Sequence, residues 1–271
     1  MEDLNSSSFS NFSLRKKHYV TVGRPVGEVN RAEKLTNPGR IVMSPNAWDL
    51  CDKNRLVGEQ LPNRFFELKF LKDSRKLSPL TFKRTRPSLF TSQPEDDGVL
   101  RKSMTLNPDH NGIYDTLKDY VSPIVQEKLL DQQPLRYLSE LRQVTVVFIN
   151  LSFRQKLQDK RFYQKQAPYI QRAFAICEFE MSKLGGSVNK LFMFDKGCSI
   201  LACFGLPGSK HDSEAAHALE SSLFIKERMK AEISALEKVS IGVTTGPVFV
   251  GVMGHKQRHE YTIIGPKVNI D

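Results

Sequence analysis

The stretch Ser240–Asp271, SIGVTTGPVFVGVMGHKQRHEYTIIGPKVNID, decides the fold. Its β-branched residues suit a half-buried pleated surface, and its glycines and prolines punctuate that surface. It therefore predicts three short strands: Ser240–Thr244, Val248–Met253 and Glu260–Ile264. Pro266, directly after a glycine, suits the first turn of a helix. Because so little of that helix precedes the last residue, we expect a domain cut short at this end.

A similar pattern stands near the N-terminus. Tyr19-Val-Thr-Val-Gly-Arg-Pro-Val26 and Tyr261-Thr-Ile-Ile-Gly-Pro-Lys-Val268 share a tyrosine, a β-branched run, a glycine and a valine at the same spacing. One such pair can arise by chance, because glycine-ended strands are common. If it reflects a repeat, the chain holds the end of one domain followed by most of a second copy.

Composition limits the class of protein. The chain has 271 residues, 39% hydrophobic and 26% charged, as in ordinary globular proteins. No apolar run has the length that a bilayer requires, so no transmembrane segment is expected. The four cysteines lack C-x-x-C spacing and predict reduced core thiols in a cytoplasmic protein. The net charge of +10 suits an anionic ligand, but no arginine-dense helix or aromatic–basic interleaving indicates a nucleic-acid partner.

Composition also divides the chain into segments. Residues 1–17 are rich in serine and asparagine and predict a disordered tail. Residues 18–71 predict a first globular part, and 72–140 a basic linker followed by a helical connector. Residues 141–271 form the second globular part. The basic run of the linker could also dock on an acidic partner or lipid, although a solvated linker is favoured.

The first part and the connector show mixed periodicity. Phe65–Leu71 predicts a strand with one buried face, because Phe65, Glu67, Lys69 and Leu71 alternate with the apolar set Phe66, Leu68 and Phe70. The remaining expected elements are strands at His18–Val22 and Arg40–Met43 and helices at Val26–Leu35, Pro45–Cys51 and Ile113–Leu130.

The second part has a legible element order. Before the closing strands it predicts a strand at Val144–Leu151, a helix at Ala167–Leu184, strands at Ser187–Phe194 and Ser199–Phe204, and a helix from Asp212 or Ser213 to Ala231. Strand, helix, two strands, helix, strand is the α+β, ferredoxin-like βαββαβ plan, here with an added hairpin. Because this plan serves many functions, it leaves the function open.

Several of these motifs carry a resemblance to a known family. Val144–Leu151, Asn189–Asp195, Ile241–Gly246 and Glu260–Asn269 resemble, in this order, the class III nucleotidyl cyclase catalytic domain. More narrowly, they are similar to the second cyclase domain of soluble, bicarbonate-responsive adenylyl cyclases. Tyr19–Leu71 resembles the closing third of the first cyclase domain of those enzymes, so the resemblance implies a partial copy before a truncated second domain.

The resemblance implies a chemistry. In the family, two cyclase domains pack head to tail around ATP, and the ribose 3′-hydroxyl attacks the α-phosphorus, giving 3′,5′-cyclic AMP and pyrophosphate for intracellular signalling. Two Mg²⁺ or Mn²⁺ ions held by two aspartates assist this step. An asparagine and an arginine from the other domain orient the ribose and stabilise the transition state.

Three residues match family positions that bind the substrate. Lys190 matches the lysine that faces adenine, Thr262 the second base-contacting position, and Asn269 the asparagine that orients the ribose. Without the resemblance, they read as a surface lysine, a strand residue and a polar residue in a helical turn. The transition-state arginine is expected one helical turn after Asn269, beyond the last residue.

The two aspartates that bind metal in the family have no counterpart in this sequence. Asn150 stands where metal-binding members carry an aspartate, and a neutral amide is a poor ligand for a hard dication. Asp195 lies near the second aspartate position, but its surroundings indicate a turn residue. We therefore expect no metal ligand in this chain and both aspartates in a complementary cyclase domain. The position of the bicarbonate-linked arginine falls on Asn30, which puts bicarbonate sensing in doubt.

Two hypotheses from different classes follow. The first is a piece of an adenylyl cyclase that supplies adenine and ribose contacts and is inactive alone. The second is a non-catalytic cyclase-like module that binds a nucleotide or only a partner domain.

Overall fold

The computed structural model describes residues 17–72, 115, 117–131, 138–154, 162–194, 197–255, 258–266 and 268. These residues fall into two compact units, one made of residues 21–72 and the other of residues 17–20 with the described part of 115–268. Each unit contains helices and an antiparallel sheet, so the predicted α+β class is confirmed. The predicted tail and most of the predicted linker lie outside the described residues. None of the described helices is both long and apolar enough to cross a bilayer.

The smaller unit is a three-stranded sheet with two helices. Its elements are α1 (Arg24–Lys34), β1 (Ile41–Met43), α2 (Pro45–Asp49), β2 (Leu56–Gln60), a 3₁₀ turn (Pro62–Arg64) and β3 (Phe66–Leu71), with strand order β1-β3-β2. The hydroxyl of Ser44 caps α2 by accepting from the Ala47 amide at 3.3 Å. Trp48 of α2 stacks on Phe66 with ring centroids 4.8 Å apart, which packs the helix onto the sheet.

Three features of the N-terminal part differ from what the sequence indicates. Residues 18–22 form no strand, and Tyr19 is 86% exposed, so a run of β-branched residues was not sufficient to form one. β2 was not expected, because its sequence LVGEQ lacks alternation. In β3 the buried side chain is Glu67 rather than Phe70, since Arg40 and Lys69 both lie 3.1 Å from the Glu67 carboxylate and compensate its charge.

The larger unit contains the βαββαβ plan. Its elements are α3 (Pro123–Leu130), β4 (Glu140–Phe153), α4 (Phe162–Lys183), β5 (Ser187–Phe194), β6 (Gly197–Phe204), α5 (Glu214–Glu232), β7 (Leu236–His255) and β8 (Arg258–Ile264). The sheet is antiparallel with strand order β5-β6-β4-β7-β8. Its first four strands in chain order therefore lie as 2-3-1-4, and β8 extends the sheet beyond β7. The ferredoxin-like prediction with an added hairpin is confirmed.

The central strand β4 is buried on both faces. Val144 and Val146 belong to a cluster with Leu201 of β6 and with Val250 and Ile263 of β7 and β8. The alternate residues, such as Val147 and Ile149, project from the opposite face and are fully buried. The hydroxyls of Thr145 and Thr245 lie 2.9 Å apart across β4 and β7, which helps fix the register of these strands. Helices α4 and α5 pack against this sheet.

Two further elements differ from the sequence predictions. The two strands expected before and after Thr245-Gly246-Pro247 form one continuous strand, β7, because β4 pairs with it throughout. Pro247 is tolerated since, among the described residues, β8 pairs with β7 only from Phe249 onward. The single helix expected at 113–130 is interrupted, and α3 begins at Pro123, whose missing N–H suits a helix start.

Candidate functional site

Lys190 lies on the edge strand β5 beside a bulge. The register between β5 and β6 shifts between Val188 and Lys190, after which Lys190 pairs with Leu201. A bulge inserts an extra residue and turns the next side chain to a new direction. The inserted residue, Asn189, is buried, and its Oδ1 has no hydrogen-bond partner among the described residues. The Lys190 side chain itself is one-quarter exposed, so its ammonium can reach a ligand.

Thr262 lies on the other edge strand, β8, opposite Gly251. It is 3% exposed, and its hydroxyl has no hydrogen-bond partner within the described part of the chain. A buried polar group without a partner costs about 1–3 kcal/mol, so proteins seldom retain one without a reason. A hydroxyl both donates and accepts, which makes Thr262 able to serve a polar ligand at this position.

An ion pair joins the two edges of the sheet. Lys190 Nζ lies 3.0 Å from Oε1 of Glu260 on β8. In a flat five-stranded sheet these edge strands would stand about 19 Å apart, at roughly 4.8 Å per strand step. The sheet is therefore strongly coiled. The same coiling brings Leu201 of β6 and Ile263 of β8 into one apolar cluster, although two strands lie between them.

Glu260 and Thr262 project from the same face of β8, because they are two residues apart in a strand. The ion pair thus brings Lys190 to the strand face that carries the Thr262 hydroxyl. Lys190, Glu260 and Thr262 thus supply a cation, a carboxylate and a hydroxyl that has no hydrogen-bond partner among the described residues. Together these groups can donate to and accept from a planar polar group. The third predicted site residue, Asn269, lies outside the described residues, as does Asp195.

The described residues show no clustered ligand set for a divalent ion. They contain no group of three or more histidine, cysteine, aspartate or glutamate side chains placed to hold a metal. Asn150 is exposed on β4 between Ser199 of β6 and Ser240 of β7, so its neighbours across the sheet are neutral hydroxyls. Mg²⁺ and Mn²⁺ bind through carboxylates, which this position does not offer.

Sequence reasoning missed two residues of this site, Glu260 and Asn189. The spacing of Glu260 from Thr262 along a strand was a usable signal, because i and i+2 share a face. The contact with Lys190 was not readable, since it depends on the coiling of the whole sheet. Asn189 was quoted within the cyclase motif, but its burial depends on the bulge.

Comparison with known proteins gives the family. No protein-family model matches the chain. Adenylate cyclase type 10 of Homo sapiens is 38% identical over 256 residues, which cover 93% of this chain. The chain belongs to the class III nucleotidyl cyclase family. The enzyme of that name from Rattus norvegicus is 37% identical over 258 residues, or 94% of the chain. This cyclase-family chain spans 16% of the length of each of these two relatives.

Solved structures of cyclases also match the chain. A bacterial light-regulated adenylyl cyclase matches with a TM-score of 0.47 and 20% identity, over 59% of this chain and 47% of that one. The adenylyl cyclase CyaB from P. aeruginosa matches with a TM-score of 0.41 and 23% identity, over 48% of this chain and 69% of that one.

Proposed function

We propose that the larger unit binds the adenine and ribose of ATP in an adenylyl cyclase. The reaction forms a bond between the ribose 3′-oxygen and the α-phosphorus and breaks the bond from that phosphorus to the departing pyrophosphate, giving 3′,5′-cyclic AMP. The observation that supports this proposal most directly is the Lys190–Glu260 ion pair beside the unpaired Thr262 hydroxyl.

The chemistry of these groups suits adenine. Adenine N1 is an acceptor and its N6 amino group a donor. The Lys190 ammonium only donates and so complements N1, and the Thr262 hydroxyl can accept from N6. Guanine carries an N–H at position 1, which would face the ammonium and leave a buried donor unpaired. A mismatch of this kind costs about 1–3 kcal/mol, enough for roughly ten- to hundredfold selectivity.

Ribose orientation and metal binding complete the proposal. Asn269 would orient the ribose, in line with its match to the family motif. The described residues offer no carboxylate set for Mg²⁺ or Mn²⁺, so a complementary cyclase domain would hold these ions. The partners are thus ATP and that second domain. We also propose a cytoplasmic location, which the four free cysteines support.

A second candidate function rests on Asn150. An amide at the metal position fits a cyclase-like module that binds a nucleotide, or only a partner domain, without catalysis. The two functions differ in one measurable property, which is turnover of ATP when a complementary domain with both aspartates is supplied.

The test is a reconstitution. The full chain alone is expected to form no cyclic AMP. The chain mixed with a complete first cyclase domain should form it from ATP, measured by mass spectrometry, but more slowly than an assembly that also carries the family's transition-state arginine. ATP binding without turnover in the mixture would favour the non-catalytic module. Turnover by the chain alone would contradict the assignment of the metal ligands to another domain.

Substitution of Lys190 tests the base pocket. In the reconstituted enzyme, Lys190→Ala should lower the ratio of kcat/KM for ATP to that for GTP by about tenfold or more, because the donor to adenine N1 is lost. Lys226→Ala, on the exposed side of α5, is the matched control and should leave the ratio unchanged. An unchanged ratio in Lys190→Ala would remove this lysine from the pocket.

A further inference from the structure

A shallow groove lies where β4 and α5 end and β7 begins. Its volume is about 430 Å³, and its lining residues are Arg154, Lys230, Leu236, Glu237, Lys238 and Val239. Leu236 and Val239 are its more buried members, whereas the four charged residues are exposed. A groove of this size is comparable to the pockets that hold small ligands in other proteins.

Three cations from separate elements meet at this groove. Arg154 directly follows β4, Lys230 lies in the last turn of α5, and Lys238 lies on β7. Within the described residues none of the three forms an ion pair, whereas Arg228 of α5 pairs with Glu232 at 2.9 Å. Cations that are held together without a counter-charge repel one another, so the groove favours an anion.

The backbone around the groove is fixed by pairing. The register between β4 and β7 shifts at this point, and Glu237 is the extra residue of β7. Such a bulge turns the adjacent side chains to new directions. The Arg154 amide donates to the Ala235 carbonyl at 2.9 Å, which holds the base of the arginine side chain beside the bulge.

We propose that this groove binds a small anion that carries two or more phosphate groups. Its three cations and one carboxylate leave a net charge of +2, which at least two negative charges would balance. The Arg154 guanidinium can donate two parallel hydrogen bonds to one phosphate, and each lysine ammonium can contact a further phosphate oxygen.

This groove is remote from the proposed base contact. Lys238 lies near the beginning of β7, whereas Thr262 pairs with Gly251 near the end of that strand. Roughly 40 Å of strand separates the two positions, at about 3.3 Å per residue. The anion is therefore a ligand additional to the ATP of the proposed function, and its binding is measurable without ATP or a second domain.

The experiment titrates tripolyphosphate into the full chain by isothermal titration calorimetry, without metal and at low ionic strength, where screening is weak. Arg154→Gln and Lys230→Gln should each raise the Kd about threefold to tenfold, because each removes a charged donor. Glu237→Gln should lower the Kd about threefold, because it removes the carboxylate of the groove. Lys210→Gln and Glu220→Gln, exposed and outside the groove, are the matched controls and should change the Kd less than about 1.5-fold.

Three results would overturn the proposal: no binding of tripolyphosphate, equal effects of the groove variants and the controls, or equal affinity for orthophosphate. If Lys230 only stabilises the C-terminal end of α5, Lys230→Gln would lower the melting temperature and leave the Kd unchanged, which also contradicts the proposal. Misfolding cannot imitate the gain of affinity expected for Glu237→Gln.

Phosphate groups are also clustered on lipid headgroups, and a second measurement separates the two sources. Phosphatidylcholine vesicles with and without a phosphatidylinositol bisphosphate are sedimented with the wild type and with Arg154→Gln. Binding that depends on this lipid and falls in Arg154→Gln as tripolyphosphate binding does would identify a headgroup. Vesicle binding that is absent or equal in both proteins would identify a soluble ligand of the groove.

Discussion

The ring of Tyr261 stabilises the fold by packing, whereas burial of its hydroxyl opposes folding. The ring packs against the apolar cluster that contains Val144 and Leu201 and also against Val125 and Leu138. Its hydroxyl is buried and has no hydrogen-bond partner among the described residues. Burial raises the pKa of Tyr261 to about 12, because the phenolate would be less solvated there than in water.

We expect Tyr261→Phe to unfold at equal or higher urea concentration than the wild type at pH 7. Removing an unpaired buried hydroxyl while keeping the ring should change the free energy of unfolding by zero to about +1 kcal/mol. Tyr19→Phe, at an 86% exposed position, is the control. A loss of more than about 1 kcal/mol in Tyr261→Phe would show that the hydroxyl has a favourable partner.

The raised pKa of Tyr261 makes the stability of the folded protein depend on pH in the alkaline range. The folded-state pKa of Tyr261 is raised above the ordinary value near 10, so its contribution to stability is complete below about pH 10 and is lost as the pH rises towards 12. The wild type should therefore lose stability relative to Tyr261→Phe across this interval. An equal loss in both proteins, followed by urea unfolding at each pH, would contradict the raised pKa.

At the scale of secondary-structure elements, Gly197 sets how closely β6 approaches β4. It begins β6 and pairs with Ser152, and a Cβ at this position would overlap the carbonyl oxygen of Leu151. Because that atom belongs to the backbone of the central strand, neither partner can move aside without loss of pairing.

Gly197→Ala should therefore lower the free energy of unfolding by about 2–3 kcal/mol, measured by urea denaturation. Gly208→Ala is a matched control, because a Cβ there meets no atom within 4 Å and only its φ of +78° is strained. The control should lose about 1 kcal/mol. A smaller loss at Gly197 than at Gly208 would show that β6 can shift away from β4 at little cost.

The elements that the sequence predicted well are those whose own residues dictate them. β5, β6 and α5 form where apolar runs and periodicity indicated. The errors arose where pairing decided the outcome. Residues 18–22 have strand composition but form no strand, whereas β7 continues through Gly246-Pro247 because β4 pairs with it. Strand formation depends on neighbours that a single segment does not reveal.

The candidate site shows the same limit. Lys190 and Thr262 were predicted from a resemblance in motif order, and whether they bind the base stays a prediction. The ion pair to Glu260 joins strands at opposite edges of the sheet, so no pattern within either strand announces it. Contacts of this kind follow from sheet coiling, which the twist of all five strands determines together.

At the scale of the whole molecule, the net charge and the metal-ligating side chains of the described residues both disfavour binding of a divalent ion by this chain alone. The chain has 40 lysine and arginine residues against 30 aspartate and glutamate residues, a net charge of +10. Its summed field attracts polyphosphates and repels free dications at low ionic strength. The described residues also lack any cluster of three metal-ligating side chains.

Mn²⁺ without nucleotide should therefore leave the melting temperature of the isolated chain unchanged. A ligand at a hundred times its Kd would stabilise the folded state by about 2.7 kcal/mol, so a real site would be visible as a clear upward shift. We expect 1 mM Mn²⁺ to give a shift below about 1 °C, since weak binding adds only a few tenths of a kcal/mol. The matched control repeats the measurement after addition of EDTA. A rise of several degrees that EDTA reverses would show that this chain holds its own divalent ion. It would contradict the proposal that a complementary domain supplies the metal ligands.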